Sequence, residues 1–250
     1  KAREEGIEVT IDQYPYTASS TNLHVLLPTW VMAGGTDSAN FRMRDPVMHE
    51  KIKAEMHDSA KKGKLKNYNY AVVGNCQADS SINGKTISAI TRLHGKKPTL
   101  NNDIETVLTI LLNGGAQMIY HSMQETDVQN IMRYPFNMIA SDAGIIYQPN
   151  SVPHPRGYGT NVRVLAKYVR ETNLIQLEDA IRRMTSLPAQ KFHLQNRGLI
   201  KPGMAADIVI FDPLTIRDNS TYSDPHHFSS GFSYVLVNGI ITLENNQHNG

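Results

Sequence analysis

The acidic residue best placed for chemistry is Asp142, in the polar run Ser141-Asp-Ala-Gly144. This run follows the segment 137–140, which is predicted to be a strand, and functional groups often lie in the loop after a strand. A carboxylate there can accept a proton from a nucleophilic water and pass it to a leaving amine, as amide hydrolysis requires. The alternative is an Asp that only caps the next segment, which is common.

A second candidate is Arg156, in the run Pro153-His-Pro-Arg156. Its planar guanidinium can form two parallel hydrogen bonds with a carboxylate, so it is suited to bind a substrate carboxylate. An ordinary surface ion pair is the alternative, because most arginines are exposed and structural. His154 could be a metal ligand, but a loop histidine between two prolines more often packs or forms hydrogen bonds, and we assign it no role.

Cysteine and histidine residues give little indication of a metal site. Cys76 is the only cysteine, so this chain alone cannot build a disulfide framework or a Cys-rich zinc site. His24, His121, His226 and His227 fall in no motif. The adjacent pair 226–227 is expected to lie in a solvated loop rather than on a metal.

The elements that position these residues alternate from residue 117 onward. Strand 118–120, helix 125–133 and strand 137–140, with short links, predict parallel strands joined by crossover helices, as in a (β/α) barrel. Two further helices are predicted at 162–171 and 176–184.

The first part of the chain begins with a strand pattern, Ile7 to Tyr14, which ends in a polar loop at 17–21. Asp45-Pro46 predicts the start of a helix over 47–57, since proline suits a first helical position. Further predicted elements are a strand at 70–73 and helices at 87–94 and 104–112.

The last part of the chain predicts a small β domain. An apolar strand lies within 198–213, and Tyr234 to Leu243 reads as two strands joined by Asn238-Gly239, a strong hairpin signal.

Composition restricts the classes of partner. A chain of 250 residues, 40% hydrophobic, can form one large domain or one domain with a small appendage. A formal net charge of +2 does not suggest nucleic acid or an acidic membrane, so the expected partner is a small-molecule substrate.

Without a membrane span of about 18 apolar residues or a signal-peptide core, a cytoplasmic location is expected. Lys1 to Gly6 resembles a final helical turn, so the chain is expected to start mid-fold.

Five segments in one order resemble the N-acyl-D-amino-acid deacylases, or D-aminoacylases, of the amidohydrolase superfamily. The similarity covers nearly the whole chain and is loosest at about 36–102. Any one segment is weak evidence, but five in order are specific. They are Asp12-Gln-Tyr-Pro-Tyr16, Ser141-Asp-Ala-Gly144, Pro153-His-Pro-Arg156, Met184-Thr-Ser-Leu-Pro188 and Gly203-Met-Ala-Ala-Asp-Ile-Val-Ile-Phe-Asp-Pro213.

The resemblance implies an α/β fold, with the C-terminal part of a (β/α)8 barrel at 1–195 and strands of a small β-sandwich at 196–250. It also implies an insertion at about 17–123. The family holds Zn²⁺ mainly through a Cys and His residues that precede the first strand matched here, so the main ligands are expected upstream of residue 1. Cys76 does not match the ligand Cys.

The resemblance also implies roles for particular residues. Asp142 matches the family's catalytic Asp and is a candidate zinc ligand. Arg156 matches the binding group for the substrate carboxylate. Tyr14 and Ser20 resemble polar substrate contacts. Tyr120 and Met123 resemble walls of the side-chain pocket, although aromatic and Met residues at a strand end are more often core.

The expected function is zinc-dependent hydrolysis of an N-acyl-D-amino acid to a carboxylate and a D-amino acid, with this chain inactive by itself. Zinc would lower the pKa of bound water towards ~7 and polarise the carbonyl. The alternatives are a cyclic-amide hydrolase of dihydroorotase or hydantoinase type, and a non-catalytic fragment. Residues 14–20 and 153–156 favour the deacylase.

Overall fold

The computed structural model describes residues 1–146 and 148–249 as a mixed α/β chain. The strands are β1 (Ile11–Gln13), β2 (Ser19–Asn22), β3 (Ala71–Asn75), β4 (Gln117–Tyr120), β5 (Asn137–Ile139), β6 (Ile208–Phe211), β7 (Phe232–Val237), β8 (Ile240–Glu244) and β9 (Gln247–His248). The α-helices are α1 (Gly35–Arg44), α2 (Pro46–Lys62), α3 (Ile87–Leu93), α4 (Leu100–Leu112), α5 (Glu125–Met132), α6 (Arg156–Arg163), α7 (Leu177–Met184) and α8 (Ser186–Lys191). Short 3₁₀ turns lie at Leu23–Leu26, Thr29–Met32 and Ser80–Ile82, and α6 continues as a π-helical segment, Val164–Glu171.

Two compact units make up the described chain. Unit 1 contains Lys1–Thr17, Met123–Ile146 and residues 155–249, and unit 2 contains Ala18–Ser122 and residues 148–154. Each unit buries a hydrophobic core of its own. The predicted division at residues 17, 123 and 195 stays a prediction. No helix in either unit, as far as the chain is described, has both the length and the apolar character needed to cross a membrane.

Unit 1 contains a parallel strand pair. Strand β1 pairs with β5, with Ile11 opposite Asn137 and Gln13 opposite Ile139. The Ala140 N–H then donates to the Gln13 carbonyl at 3.0 Å, which continues the pairing beyond β5. Because parallel strands end at the same edge of a sheet, the segments after β1 and β5 leave the sheet side by side.

The predicted parallel pairing of the strands around 118–120 and 137–140 is wrong. Strand β4 lies between β2 and β3 in an antiparallel sheet of unit 2, whereas β5 pairs with β1. Alternation along the sequence located both strands but carried no information about their partners. The partner β2 forms from a polar segment that was predicted to be a loop.

The last four strands of unit 1 form an antiparallel sheet in the order β6-β7-β8-β9. The predicted hairpin is confirmed: β7 and β8 are joined by Asn238 and Gly239, with φ of 50° and 81°. Left-handed conformations at both positions match the right-handed twist of the two strands.

Unit 2 packs the β2-β4-β3 sheet with α1 to α4. Helix α2 begins as predicted, with Pro46 in its first turn and the Asp45 carboxylate accepting from the Met48 N–H at 2.8 Å. Helix α1 was not predicted. The core includes large side chains at 1% exposure or less, among them Leu23, Met43, Ile52, Met56, Ile87, Ile90, Ile104, Leu108 and Met118.

Asp103 is a buried carboxylate in the first turn of α4. It is completely buried, and its Oδ2 accepts from the Tyr68 N–H at 2.8 Å and from the Ser88 hydroxyl at 2.5 Å. It therefore ties the segment before β3 and helix α3 to α4.

Replacing Asp103 by Ala is expected to lower the free energy of unfolding by about 3 kcal/mol, because two buried donors lose their acceptor. Urea denaturation followed by circular dichroism measures this loss. The matched control is Asp37→Ala, since Asp37 also lies in a first helical turn of unit 2 but is exposed. An equal loss in the two variants would show that the buried hydrogen bonds contribute nothing beyond the helix terminus.

Candidate active site

Asp142 lies three residues after β5, at the edge where the parallel strands end. Its φ of +49° is left-handed, a conformation that Asp tolerates better than most residues because its short polar side chain can bond locally. The side chain is 68% exposed. The backbone turn therefore presents the carboxylate to the outside of unit 1, where it can contact a ligand.

Arg156 lies beside this carboxylate at the first residue of α6. Its Nη2 is 2.9 Å from Asp142 Oδ2, and its guanidinium carbon lies 4.7 Å from the centre of the Tyr14 ring. Only 9% of the Arg156 side chain is exposed. The ring and the carboxylate thus hold the guanidinium in one orientation.

These three residues form what we term the site cluster, Tyr14, Asp142 and Arg156. Each was a candidate from the sequence, and the structure brings all three together within unit 1. The pairing of β1 with β5 explains the arrangement, since Tyr14 follows one strand and Asp142 the other. Helix α6 begins six residues before the predicted helix and supplies the third group.

His154 forms a hydrogen bond, which is a frequent role of a loop histidine between two prolines. It is 4% exposed, and its Nε2 lies 2.9 Å from the Ala18 carbonyl oxygen, within unit 2. A carbonyl can only accept, so Nε2 carries the proton. The buried ring is therefore part of the structure of unit 2.

Ser20 and Tyr120 lie on opposite faces of the same sheet. Ser20 is opposite Ile119 and accepts from Gln117 Nε2 at 3.2 Å, whereas Tyr120 is opposite Ser19. Residues that face each other across two antiparallel strands share a face, and the faces alternate along a strand. The two candidates therefore do not converge on one point of unit 2.

Tyr120 belongs to the core of unit 2. It is 5% exposed, its ring lies 5.9 Å from that of Tyr70, and its hydroxyl donates to the Asn22 carbonyl at 3.4 Å. Burial raises the pKa of its hydroxyl. These contacts are those of a core residue, which is the alternative given for Tyr120 in the sequence analysis.

Met123, in unit 1, is 37% exposed. The substrate roles of Ser20, Tyr120 and Met123 stay predictions.

One group of three metal-ligand residue types occurs in the part of the chain that the structure describes. His49, Glu50 and Glu105 bring ligand atoms within 4.8 Å of one another in unit 2. Lys53 Nζ lies 2.9 Å from Glu50 Oε1 and 2.5 Å from Glu105 Oε1. Burial opposes ionisation of Glu105, but Lys53 and His49 together outweigh it and lower the pKa of that carboxyl. The group is an ion-pair network, with its cation already supplied by Lys53.

Asp142 belongs to no group of three ligand residues within residues 1–146 and 148–249. A structural or catalytic zinc takes about four ligand atoms, at least three of them from protein side chains. The described residues around Asp142 therefore do not form a complete zinc site by themselves.

Sequence reasoning missed a cluster next to the site in unit 1, formed by Tyr16, Arg163 and Asp218, in which the tyrosine and the carboxylate are buried. Asp218 lies in a polar segment without periodicity, so no local signal distinguishes it from an exposed Asp. The only hint was the second tyrosine of Tyr14-Pro-Tyr16, placed where a chain leaves a strand.

Comparison with known proteins gives consistent matches. The amidohydrolase family matches residues 50–243. The chain is 32% identical over 240 residues to N-acyl-D-glutamate deacylase of Alcaligenes xylosoxydans xylosoxydans, which covers 96% of this chain and 39% of that protein.

Solved structures resemble it to a similar degree. The crystal structure of D-aminoacylase has 30% identity and a TM-score of 0.72, covering 100% of this chain and 42% of the other. N-acyl-D-glutamate deacylase from Bordetella bronchiseptica, solved with zinc and a phosphonate that mimics the tetrahedral intermediate, has 31% identity and a TM-score of 0.71, covering 97% and 41%. The chain spans about two fifths of the length of these relatives.

Proposed function

We propose that this chain, which belongs to the amidohydrolase family, is part of an enzyme that hydrolyses the amide bond of N-acyl-D-amino acids. The observation that carries the proposal is the site cluster, where the exposed Asp142 carboxylate contacts the buried Arg156 guanidinium at 2.9 Å. The similarity to an N-acyl-D-glutamate deacylase and to D-aminoacylase supports this choice of substrate class.

Each residue of the site cluster has a proposed role that follows from the chemistry of its side chain. The Asp142 carboxylate accepts the proton of the attacking water and returns it to the leaving nitrogen. The Arg156 guanidinium binds the α-carboxylate of the substrate, and the Tyr14 ring keeps its plane fixed. Since the two charged groups touch, a bound α-carboxylate brings the neighbouring amide close to the proton acceptor.

Zinc is the proposed cofactor, held mainly by residues outside this chain. The bound metal would activate water and polarise the amide carbonyl. Asp142 contributes at most one ligand, and the relative from Bordetella bronchiseptica was solved with zinc. Ser20, Tyr120 and Met123 are proposed as further substrate contacts.

We also propose that unit 1 is part of a larger barrel and β-sandwich. The β1–β5 pair and the helices of unit 1 would belong to a (β/α)8 barrel, and the four-stranded sheet to a sandwich completed by strands outside this chain. Apolar side chains left exposed on that sheet support this proposal, because such residues are usually covered. They include Val209, Ile210, Val237, Ile240 and Ile241.

The test compares the complete protein with the 250-residue chain alone. The complete protein is expected to release the D-amino acid from an N-acetyl-D-amino acid, to leave the L-isomer intact and to contain zinc. The chain alone is expected to do none of this. One equivalent of tightly held zinc in the isolated chain would contradict the assignment of its ligands to other residues. Preferred hydrolysis of a hydantoin or dihydroorotate by the complete protein would replace the deacylase by a cyclic-amide hydrolase.

A further inference from the structure

A second cluster in unit 1, which we term the anchor cluster, contains Tyr16, Arg163 and Asp218. Tyr16 is 2% exposed and the Asp218 side chain 7% exposed. The Tyr16 hydroxyl donates to Asp218 Oδ2 at 3.4 Å, and Arg163 Nη1 lies 3.6 Å from the same oxygen. One carboxylate thus connects two groups from distant parts of the chain.

The anchor cluster joins two of the three segments that carry the site cluster, namely the segment after β1 and helix α6. Arg163 Nε donates to the Pro15 carbonyl at 2.8 Å, and its guanidinium carbon lies 4.8 Å from the centre of the Tyr16 ring. Tyr16 follows Tyr14 by two residues. Arg163 lies at the other end of α6 from Arg156, and residues seven apart lie on the same face of a helix. The helix is therefore held at one end by the anchor cluster and presents Arg156 at the other.

Close approach of α6 to Asp218 depends on Gly159. A Cβ added at Gly159 would overlap the Asp218 carboxylate, which lies directly against the helix backbone. The carboxylate is oriented there by the Ser220 N–H, which donates to Oδ1 at 3.1 Å. The helix position is thus determined by a contact that has no room for a side chain.

Burial of the Asp218 side chain has a free-energy cost. Desolvation raises the pKa of its carboxyl, against the opposing effects of the Ser220 N–H and the Arg163 charge. A buried ion pair can often be replaced by apolar residues without loss of stability, so stability alone is a weak reason for the contact of the buried Asp218 with the partly exposed Arg163. The geometry of the cluster gives a better reason for a carboxylate at this position, because the same carboxylate contacts both α6 and the segment after β1.

We propose that Asp218 is a positioning residue that acts through Arg163 and Tyr16 to hold α6, and with it the Arg156 guanidinium, against Tyr14 and Asp142. The proposal rests on the function proposed above, in which Arg156 binds the α-carboxylate of the substrate.

The test uses Asp218→Ala in the complete protein with two substrates, an N-acetyl-D-amino acid and its carboxamide, which lacks the α-carboxylate. KM for the acid is expected to rise about tenfold, because a shifted guanidinium binds the carboxylate poorly. KM for the carboxamide should change little, and kcat should decrease modestly and equally for both substrates because the Arg156–Asp142 contact is lost. In an Arg156→Ala background, Asp218→Ala should have almost no further effect on KM. The matched control is Asp224→Asn, an exposed Asp of the same segment that pairs with His227.

A crystal structure of the Asp218→Ala protein tests the proposal without activity. The Arg156–Asp142 contact of 2.9 Å is expected to open beyond hydrogen-bonding distance. An unchanged site cluster would overturn the proposal, as would equal KM increases for the two substrates or effects that add to those of Arg156→Ala. If Asp218→Ala does not fold, Arg163→Lys is the second variant, because it keeps the charge but loses the planar contacts to Pro15 and Tyr16. A wild-type protein that hydrolyses no N-acyl-D-amino acid would refute the proposed function, while the crystal structure would still decide the positioning role.

Discussion

Asp142→Asn is expected to lower kcat of the complete protein about 10³-fold, which is the scale of a lost general base. Asn keeps the shape of Asp and the hydrogen bond that Arg156 donates, but it cannot take a proton from water. The left-handed backbone at this position, φ +49°, suits Asn as well as Asp, so the turn is preserved. The loss should therefore be confined to turnover.

Three measurements separate this result from unfolding or metal loss. The kinetics give kcat, thermal denaturation gives stability, and metal analysis gives the zinc content, and the last two should match the wild type. Asp142→Ala should also abolish turnover, although a Cβ-only side chain is less favourable at positive φ. Asp127→Asn, an exposed position in the first turn of α5, is the control. Retained activity in Asp142→Asn would remove this residue from its proposed role.

Arg156→Ala is expected to raise KM about 10- to 100-fold for substrates with a free α-carboxylate. A charge-assisted hydrogen bond contributes about 1.5 to 3 kcal/mol, and each 1.4 kcal/mol is about tenfold in affinity. The carboxamide of the same substrate should lose much less. Arg156→Lys should restore only part of the affinity, because an ammonium cannot form two parallel hydrogen bonds with a carboxylate, and it lacks the planar group that lies over the Tyr14 ring.

The ratio of KM for the acid to KM for the carboxamide is the decisive quantity. Arg133→Ala, at an exposed arginine whose side chain contacts Asn130, is the control and should leave the ratio unchanged. Equal effects of Arg156→Ala on both substrates would make Arg156 a structural arginine. Arg156 also lies against Asp142, so a modest decrease in kcat is expected when the guanidinium is removed.

Local signals predicted local structure correctly. The Asp45 cap of α2 and the Asn238-Gly239 turn between β7 and β8 both formed as expected. A cap and a tight turn are contacts between residues that are a few positions apart, so the residue types are sufficient to specify them. The family resemblance, based on short segments in order, is likewise confirmed by the match at residues 50–243.

Strand partners could not be obtained in the same way. The pattern at 118–120 located β4, but its pairing with β2 depends on a polar segment, Ser19–Asn22, whose strand conformation comes from the backbone hydrogen bonds it makes. Sheet pairing is non-local, and β-propensity depends strongly on context. For the same reason, the opposite faces occupied by Ser20 and Tyr120 became visible only in the paired sheet.

For the candidate site, too, some features could be predicted from the sequence and others depended on the tertiary structure. Residue type and the position after a strand were sufficient to select Tyr14, Asp142 and Arg156, because carboxylate, guanidinium and ring chemistry belong to the side chains themselves. Their contact, the left-handed turn at Asp142 and the buried Asp218 beneath Gly159 depend on β1 pairing with β5 and on the packing of α6. Burial and distance arise when remote segments meet, so a linear pattern contains neither.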